Sequence, residues 1–95
     1  MTYIHFIWDQ KKKRRNVTQH GVSFEEARGA FFDERARLMH DPDHSDEEDR
    51  FILLGMSHKL RVLIVCQCYR ENEKQIRIIS ARKATAAESR QYWRK

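Results

Sequence analysis

Three strand-like runs follow one another between positions 50 and 81: Arg50 to Met56, Arg61 to Arg70 and Gln75 to Ala81. Only Ser57-His58-Lys59 and Glu71-Asn72-Glu73-Lys74 join them. Connections of that length suit hairpins and are too short for a parallel crossover, so the runs are predicted to pair antiparallel as a meander. Whatever else the chain does must be arranged around this sheet. Upstream, Tyr3-Ile4-His5-Phe6-Ile7-Trp8 is aromatic and β-branched and reads as a further strand, with Ile4, Phe6 and Trp8 on one face. Asp9 is a good N-cap for a basic helix over Gln10 to His20, and Gly21 supplies its stop. Ser23 with Glu26 has the spacing of a capping box, and Phe24, Ala27 and Phe31 then recur at helical spacing, predicting a second helix from Phe24 to Phe32. Arg35 to Met39 reads as a short strand, and His40 to Asp49 is an acidic loop holding the chain's single proline, Pro42. A last helix is expected over Ala84 to Trp93, with Thr85 and Glu88 spaced as a second capping box. The order β-α-α-β-β-β-β-α, helices grouped ahead of an antiparallel sheet, argues for an α+β fold.

At 95 residues the chain has room for one domain, 1–95, and its 40% hydrophobic content supports a thin core beneath a surface rich in charge. The longest apolar runs, such as Val62-Leu63-Ile64-Val65, fall far short of the ~20 residues that span a bilayer, so no membrane association is expected. The start, Met-Thr-Tyr-Ile-His, has no basic segment leading into an apolar one, and the cytoplasm is the expected location. Cys66 and Cys68 stand one residue apart, where a strand would put both on one face and a disulfide between them would be strained. They are expected as free thiols. No second cysteine pair completes a zinc site, and the acidic loop lacks the glycine of an EF-hand, so neither a metal nor another cofactor is expected.

Charge is divided unevenly. Residues 1–48 carry 8 basic and 10 acidic side chains, net −2, whereas residues 49–95 carry 11 and 4, net +7. Positive charge concentrated in one half attracts polyanions, with nucleic acid and an acidic protein partner both open on charge alone.

Alternation along the second meander strand puts Arg61, Leu63, Val65, Gln67 and Tyr69 on one face and Val62, Ile64, Cys66 and Cys68 on the other. The second set reads as the dry face. Arg77, on the next strand, shares the first, and Arg82 and Lys83 continue past Ser80 to its edge. Counting Arg70, five basic groups converge there. Guanidinium groups that fork onto phosphate oxygens, with a tyrosine to stack on a base, suit RNA, and the same cations can stabilise a pentacoordinate phosphorus. Metal-free RNA cleavage uses the substrate's own 2′-hydroxyl and asks the protein only for proton transfer and positive charge. His20 reads either as a group for proton transfer or as a cap favoured by the helix dipole, and Glu88 either as a general base or as the partner in its capping box. The Gly-rich phosphate loop, the Gly-x-Ser-x-Gly elbow and the His-Glu-x-x-His motif are all missing, which excludes nucleotide-dependent, serine-hydrolase and zinc-protease chemistry of those types.

Three segments together resemble the BrnT family of bacterial type II toxins. They are Trp8-Asp9-x-x-Lys12-x-x-x-Asn16-x-x-x-His20-Gly21-Val22-Ser23-Phe24-Glu25-Glu26-Ala27, Asp41-Pro42-Asp43-His44-Ser45 with Arg50-Phe51-Ile52, and Ile76-Arg77-Ile78-Ile79-Ser80-Ala81-Arg82-Lys83-Ala84-Thr85. The resemblance implies a RelE-like fold, with two N-terminal helices on the sheet and a C-terminal helix, and a ribonuclease toxin that arrests translation. It also implies a hetero-oligomer with a BrnA-type antitoxin carrying a ribbon-helix-helix segment, DNA being bound only through that complex. On the matching block Arg77, Arg82 and Lys83 are expected to be catalytic with Arg61 and Tyr69 of the neighbouring strand, His20 or Glu88 to accept the proton, and Arg70, Ser80 and Gln67 to hold RNA. Cys66-Gln67-Cys68 departs from the more aliphatic strand that the family leads one to expect. A non-catalytic basic module that docks a protein partner in transcriptional autoregulation is the competing function.

Overall fold

The structure is a computed structural model that describes residues 4–45, 48–70, 72 and 74–94. Its elements are β1 (His5–Ile7), α1 (Gln10–His20), α2 (Phe24–Ala30), β2 (Arg37–His40), a 3-10 turn over Pro42–His44, β3 (Arg50–Met56), β4 (Val62–Arg70), β5 (Gln75–Lys83) and α3 (Ala86–Trp93). The order expected from sequence holds. Tyr3 of the first predicted strand, Asp46 and Glu47 of the acidic loop, and Glu71 and Glu73 of the second hairpin lie outside the described residues.

The five strands form one sheet in the order β1-β5-β4-β3-β2. β2 to β5 are antiparallel neighbours, as the short connections require. β1 corrects the expectation of a wholly antiparallel sheet: it pairs parallel to β5, Phe6 opposite Ile76, because two helices and three strands of chain separate the partners.

Local chemistry sets the helix ends. The Asp9 carboxylate accepts from Lys12 N–H at 2.9 Å, and α1 stops at Gly21, which adopts the left-handed φ of 68°. Ser23 Oγ caps α2 through Glu26 N–H, but the expected capping box is only half made. Glu26 turns its carboxylate inward to Arg61 and to Ser57 Oγ, which donates to it at 2.6 Å, instead of back to Ser23. α2 also ends at Ala30, earlier than predicted, with β2 shifted two residues from its predicted start. The second box is complete: Thr85 Oγ1 accepts from Glu88 N–H, and Glu88 accepts from Thr85 N–H.

One sheet face carries the main core. Val22, Phe24, Ala27 and Ala30 pack on Leu53, Leu63, Val65, Ile78 and Ala81, all buried, with Phe6 and Trp8 at the margin. Each large side chain buried there contributes roughly 1.5–3 kcal/mol. The approach of α2 is close enough that a Cβ on Gly55 would stand 2.9 Å from the Ala30 carbonyl oxygen. On the other face α3 covers only one end, where Tyr92 packs with Leu54 and Ile64. The Tyr92 hydroxyl donates to Asp33 Oδ2 at 2.6 Å, and burial together with that carboxylate pushes it up to about 12.

This arrangement reverses the face assignment made from sequence. Leu63, Val65 and Gln67 point into the helix-covered core, and Val62, Ile64, Cys66 and Cys68 share the other face. The period of two was right and the choice of dry face wrong, because both faces of β4 are largely apolar and only the docking of α1 and α2 decides between them.

Candidate functional site

β5 organises the chemistry. Its ladder with β4 pairs Arg82 with Ile64 and Ser80 with Cys66, then slips by one, so that Ile78 faces Gln67 and Arg77 faces Cys68. Ile79 is the extra residue of a bulge. Strict alternation would send Arg77 and Arg82 to opposite faces; the bulge returns both to the face that carries Ile64, Cys66 and Cys68. Arg77, Ser80 and Arg82 therefore line one face of one strand.

At one end, Cys68 lies between Arg50 of β3 and Arg77 of β5, its partners in the two ladders, and Arg70 follows two residues along on the same face. Glu48 sits among these guanidiniums, 3.0 Å from Arg70, 3.7 Å from Arg77 and 3.8 Å from Arg50. Burial pushes the Cys68 thiol up, and Glu48 adds to the effect. Beside this cluster Ile7, Arg70, Gln75 and Arg77 line an open groove.

At the other end Arg82 meets Glu88 in a two-pronged pair, Nη1 to Oε1 at 2.8 Å and Nη2 to Oε2 at 2.9 Å. Arg82's hydrogen bonds hold the Glu88 carboxyl down at about 2, against its partial burial. The sheet edge here is closed by a helix. β1 pairs with β5 only as far as Arg77, and Asn16 of α1 takes over beyond it. Its buried amide donates to the Ala81 and Val22 carbonyls, both at 2.8 Å, and accepts from Ala81 N–H at 3.1 Å. A side chain thus does what a sixth strand would do. Between helix and strand lies a cleft of about 180 Å³ lined by Lys12, Arg15, Asn16, Gln19, His20, Ile79 and Ser80. It unites a histidine with two cations and a hydroxyl, the groups that proton transfer at a phosphate requires.

The sequence-predicted residues divide accordingly. Arg70, Arg77, Ser80 and Arg82 share the open face, His20 reaches it through the cleft at Ser80, and Glu88 joins it through Arg82. Lys83 is exposed at the end of β5, opposite Leu63. Like Lys83, which shares the Leu63 face, three further residues do not join them. Arg61 points the other way and clamps the buried Glu26 carboxylate, also donating to the Gly21 carbonyl at 3.1 Å. The pairing lowers Glu26 and raises Arg61. Gln67 is fully buried with its amide against the Val65 and Phe51 carbonyls, and Tyr69 packs edge-on against Phe51 at 5.2 Å. Lys12, Arg15, Gln19, Arg50 and Glu48 belong to the site and were missed. The four-residue spacing of Lys12, Asn16 and His20 on one helical face was a visible signal for the cleft. Among the described residues no three His, Cys, Asp or Glu side chains gather as a metal site, and no helix is long and apolar enough to cross a membrane.

A mixed sheet with a bulged, arginine-bearing strand open on one side and a basic cleft at its edge defines a small α+β protein with a cationic face. Residues 8–88 match the family model described as the ribonuclease toxin, BrnT, of type II toxin-antitoxin systems. The chain belongs to that family and is a ribonuclease toxin of a type II system. In fold it is similar to the crystal structure of the Brucella abortus ribonuclease toxin BrnT, with a TM-score of 0.66 at 21% identity over 86% of this chain and 97% of that one. No curated protein sequence matches the chain significantly.

Proposed function

We propose that the chain is a metal-independent endoribonuclease of RelE-like fold that arrests translation in the cytoplasm and is neutralised by a BrnA-type antitoxin. The antitoxin would bring a ribbon-helix-helix segment, and with it any contact to DNA. The observation that carries the reading is the bulge, which puts Arg77, Ser80 and Arg82 on one open face beside the His20 cleft.

The chemistry follows from where these groups stand. Arg70 and Arg77 hold backbone phosphates, and Ser80 donates a hydrogen bond at the join between face and cleft. The substrate's 2′-hydroxyl loses its proton to His20 and attacks the adjacent phosphorus. The bond to the 5′ oxygen breaks, that oxygen takes a proton from solvent as it leaves, and a 2′,3′-cyclic phosphate remains. Lys12, Arg15 and Arg82 offset the charge that builds on the phosphoryl oxygens. Glu88 is held at about 2, too weak a base near neutral pH, and its part is to aim Arg82. Arg61, Gln67 and Tyr69, on the covered face, act on the site only through the fold.

The test is incubation of the partner-free protein with purified cellular RNA in excess EDTA, with fragment ends resolved chemically. Cyclic phosphate ends from the wild type, absent with a folded His20→Ala variant, are expected. Cleavage that EDTA stops contradicts the metal-free mechanism. Intact RNA from the free protein, with cleavage only in a translating extract, assigns it instead to ribosome-bound substrate.

A further inference from the structure

The arginines at the lower end of the open face already hold an anion, and that anion belongs to the protein. Arg50, Cys68 and Arg77 form one row across β3, β4 and β5, so two guanidinium stems stand on either side of a small side chain with Arg70 two residues on. Neighbouring strands lie about 4.8 Å apart, which brings three like charges together within reach of one ligand. Among the described residues only Glu48 answers them, and it spans all three at 3.0, 3.7 and 3.8 Å. Among the described residues one carboxylate faces three guanidiniums, an excess of positive charge, and Arg50 Nε is buried with no acceptor there. The cluster has more donors than its internal ligand can satisfy. Glu48 itself is about one-third exposed and lies on the acidic loop, outside the strands, so it can leave without unmaking the sheet.

We propose that Arg50, Arg70 and Arg77 form a subsite for a phosphodiester of the RNA strand, and that Glu48 occupies it as a built-in competitor until RNA displaces it. The proposal rests on the ribonuclease reading for its ligand, and it adds a regulated binding step. A phosphate diester presents two charged oxygens and further acceptors to forked donors, which suits three guanidiniums better than one carboxylate does. The acidic loop then sets how readily RNA enters: the Glu48 contact must break before the subsite opens. Because the competing contact is partly exposed, the effect is moderate and declines with added salt.

The experiment measures binding of a short fluorescein-labelled single-stranded oligodeoxynucleotide, which lacks the 2′-hydroxyl and cannot be cut by the proposed route, by fluorescence anisotropy at low salt. Glu48→Gln keeps the shape and removes the charge; it is expected to tighten binding roughly three- to tenfold, in line with the modest strength of an exposed ion pair. The gain should vanish in Glu48→Gln combined with Arg77→Ala. Unchanged or weaker binding by Glu48→Gln overturns the proposal, showing Glu48 to be an organiser of the arginines. So does a gain that survives loss of Arg77, or one seen only with an acidic peptide in place of the oligonucleotide. RNA cleavage by the wild type is followed in parallel, which separates two failures. Cleavage with no effect of Glu48→Gln defeats the competitor and leaves the ribonuclease standing. Tighter oligonucleotide binding with no cleavage of free RNA or of RNA in a translating extract supports the subsite and defeats the catalytic reading.

Discussion

Arg61 stands just ahead of β4 and Arg77 lies on the adjacent β5, yet the molecule uses them in opposite ways. Arg61 faces the helices and neutralises Glu26, whose side chain is only 1% exposed. Arg77 faces the open side, reaching the partly exposed Glu48 at 3.7 Å among other cations. The covered face spends its arginine on holding a buried carboxylate in place, whereas the open face pairs its arginines with the partly exposed carboxylates of Glu48 and Glu88. The difference teaches that side-chain identity is a poor guide to role in a small basic domain. Position relative to the helix layer decides whether a guanidinium is part of the fold or part of the site.

The largest expected effect tests this division directly. Arg61→Ala strands a buried carboxylate and should cost about 3–5 kcal/mol in urea unfolding, whereas Arg77→Ala should stay within about 0.5 kcal/mol. Equal costs would erase the distinction. Next, Asn16→Ala removes three hydrogen bonds and leaves Ala81 N–H and two carbonyls unpaired at the join of α1 and β5; a loss of roughly 2–3 kcal/mol is expected, read from the same unfolding curves. Amide exchange should show opening there first, since the upper edge of β5 has no strand beyond Arg77.

A smaller effect concerns pH. Glu88 is held at about 2 in the folded chain against an ordinary value of 4.5, so its unfolded form binds protons more readily. The stabilisation it gives is complete above about 4.5 and is lost as pH falls toward 2. Glu88→Gln should therefore be less stable than the wild type at neutral pH, and the two Tm curves should converge in acid. A constant gap across that range would mean that the Arg82 pair does not contribute through charge. The smallest effect separates the two cysteines: Cys68, buried and with its thiol pushed up, should react with a maleimide more slowly than the half-buried Cys66, as measured with the single Cys66→Ser and Cys68→Ser variants.

Much of the fold was legible because it is local. Asp9, Gly21, Ser23 and Thr85 mark helix ends by their own chemistry, and hairpin-length connections leave the β3-β4-β5 meander no alternative. The site was less legible for two physical reasons. Val62 to Cys68 is apolar on both faces, so alternation separates two sets of side chains without saying which one the helices cover. The bulge at Ile79 then moves Arg77 across the sheet relative to Arg82, and no glycine or proline marks it. The Ile76 to Thr85 block was found as a unit, while its partners Arg50 and Glu48 depend on ladder register, which the sequence does not state. Glu26 shows the same limit: its spacing from Ser23 read as a capping box, and a tertiary partner 35 residues away claimed its carboxylate.

The most direct test of the central claim, that the open face of β5 and not the helix-covered face receives RNA, is an NMR titration of the labelled protein with an oligonucleotide that cannot be cut. Amide shifts confined to Cys68, Arg77, Ser80, Arg82 and the His20 end of α1 are the predicted result. Shifts centred on α2, Arg61, Gln67 and Tyr69, with the open face silent, would contradict it.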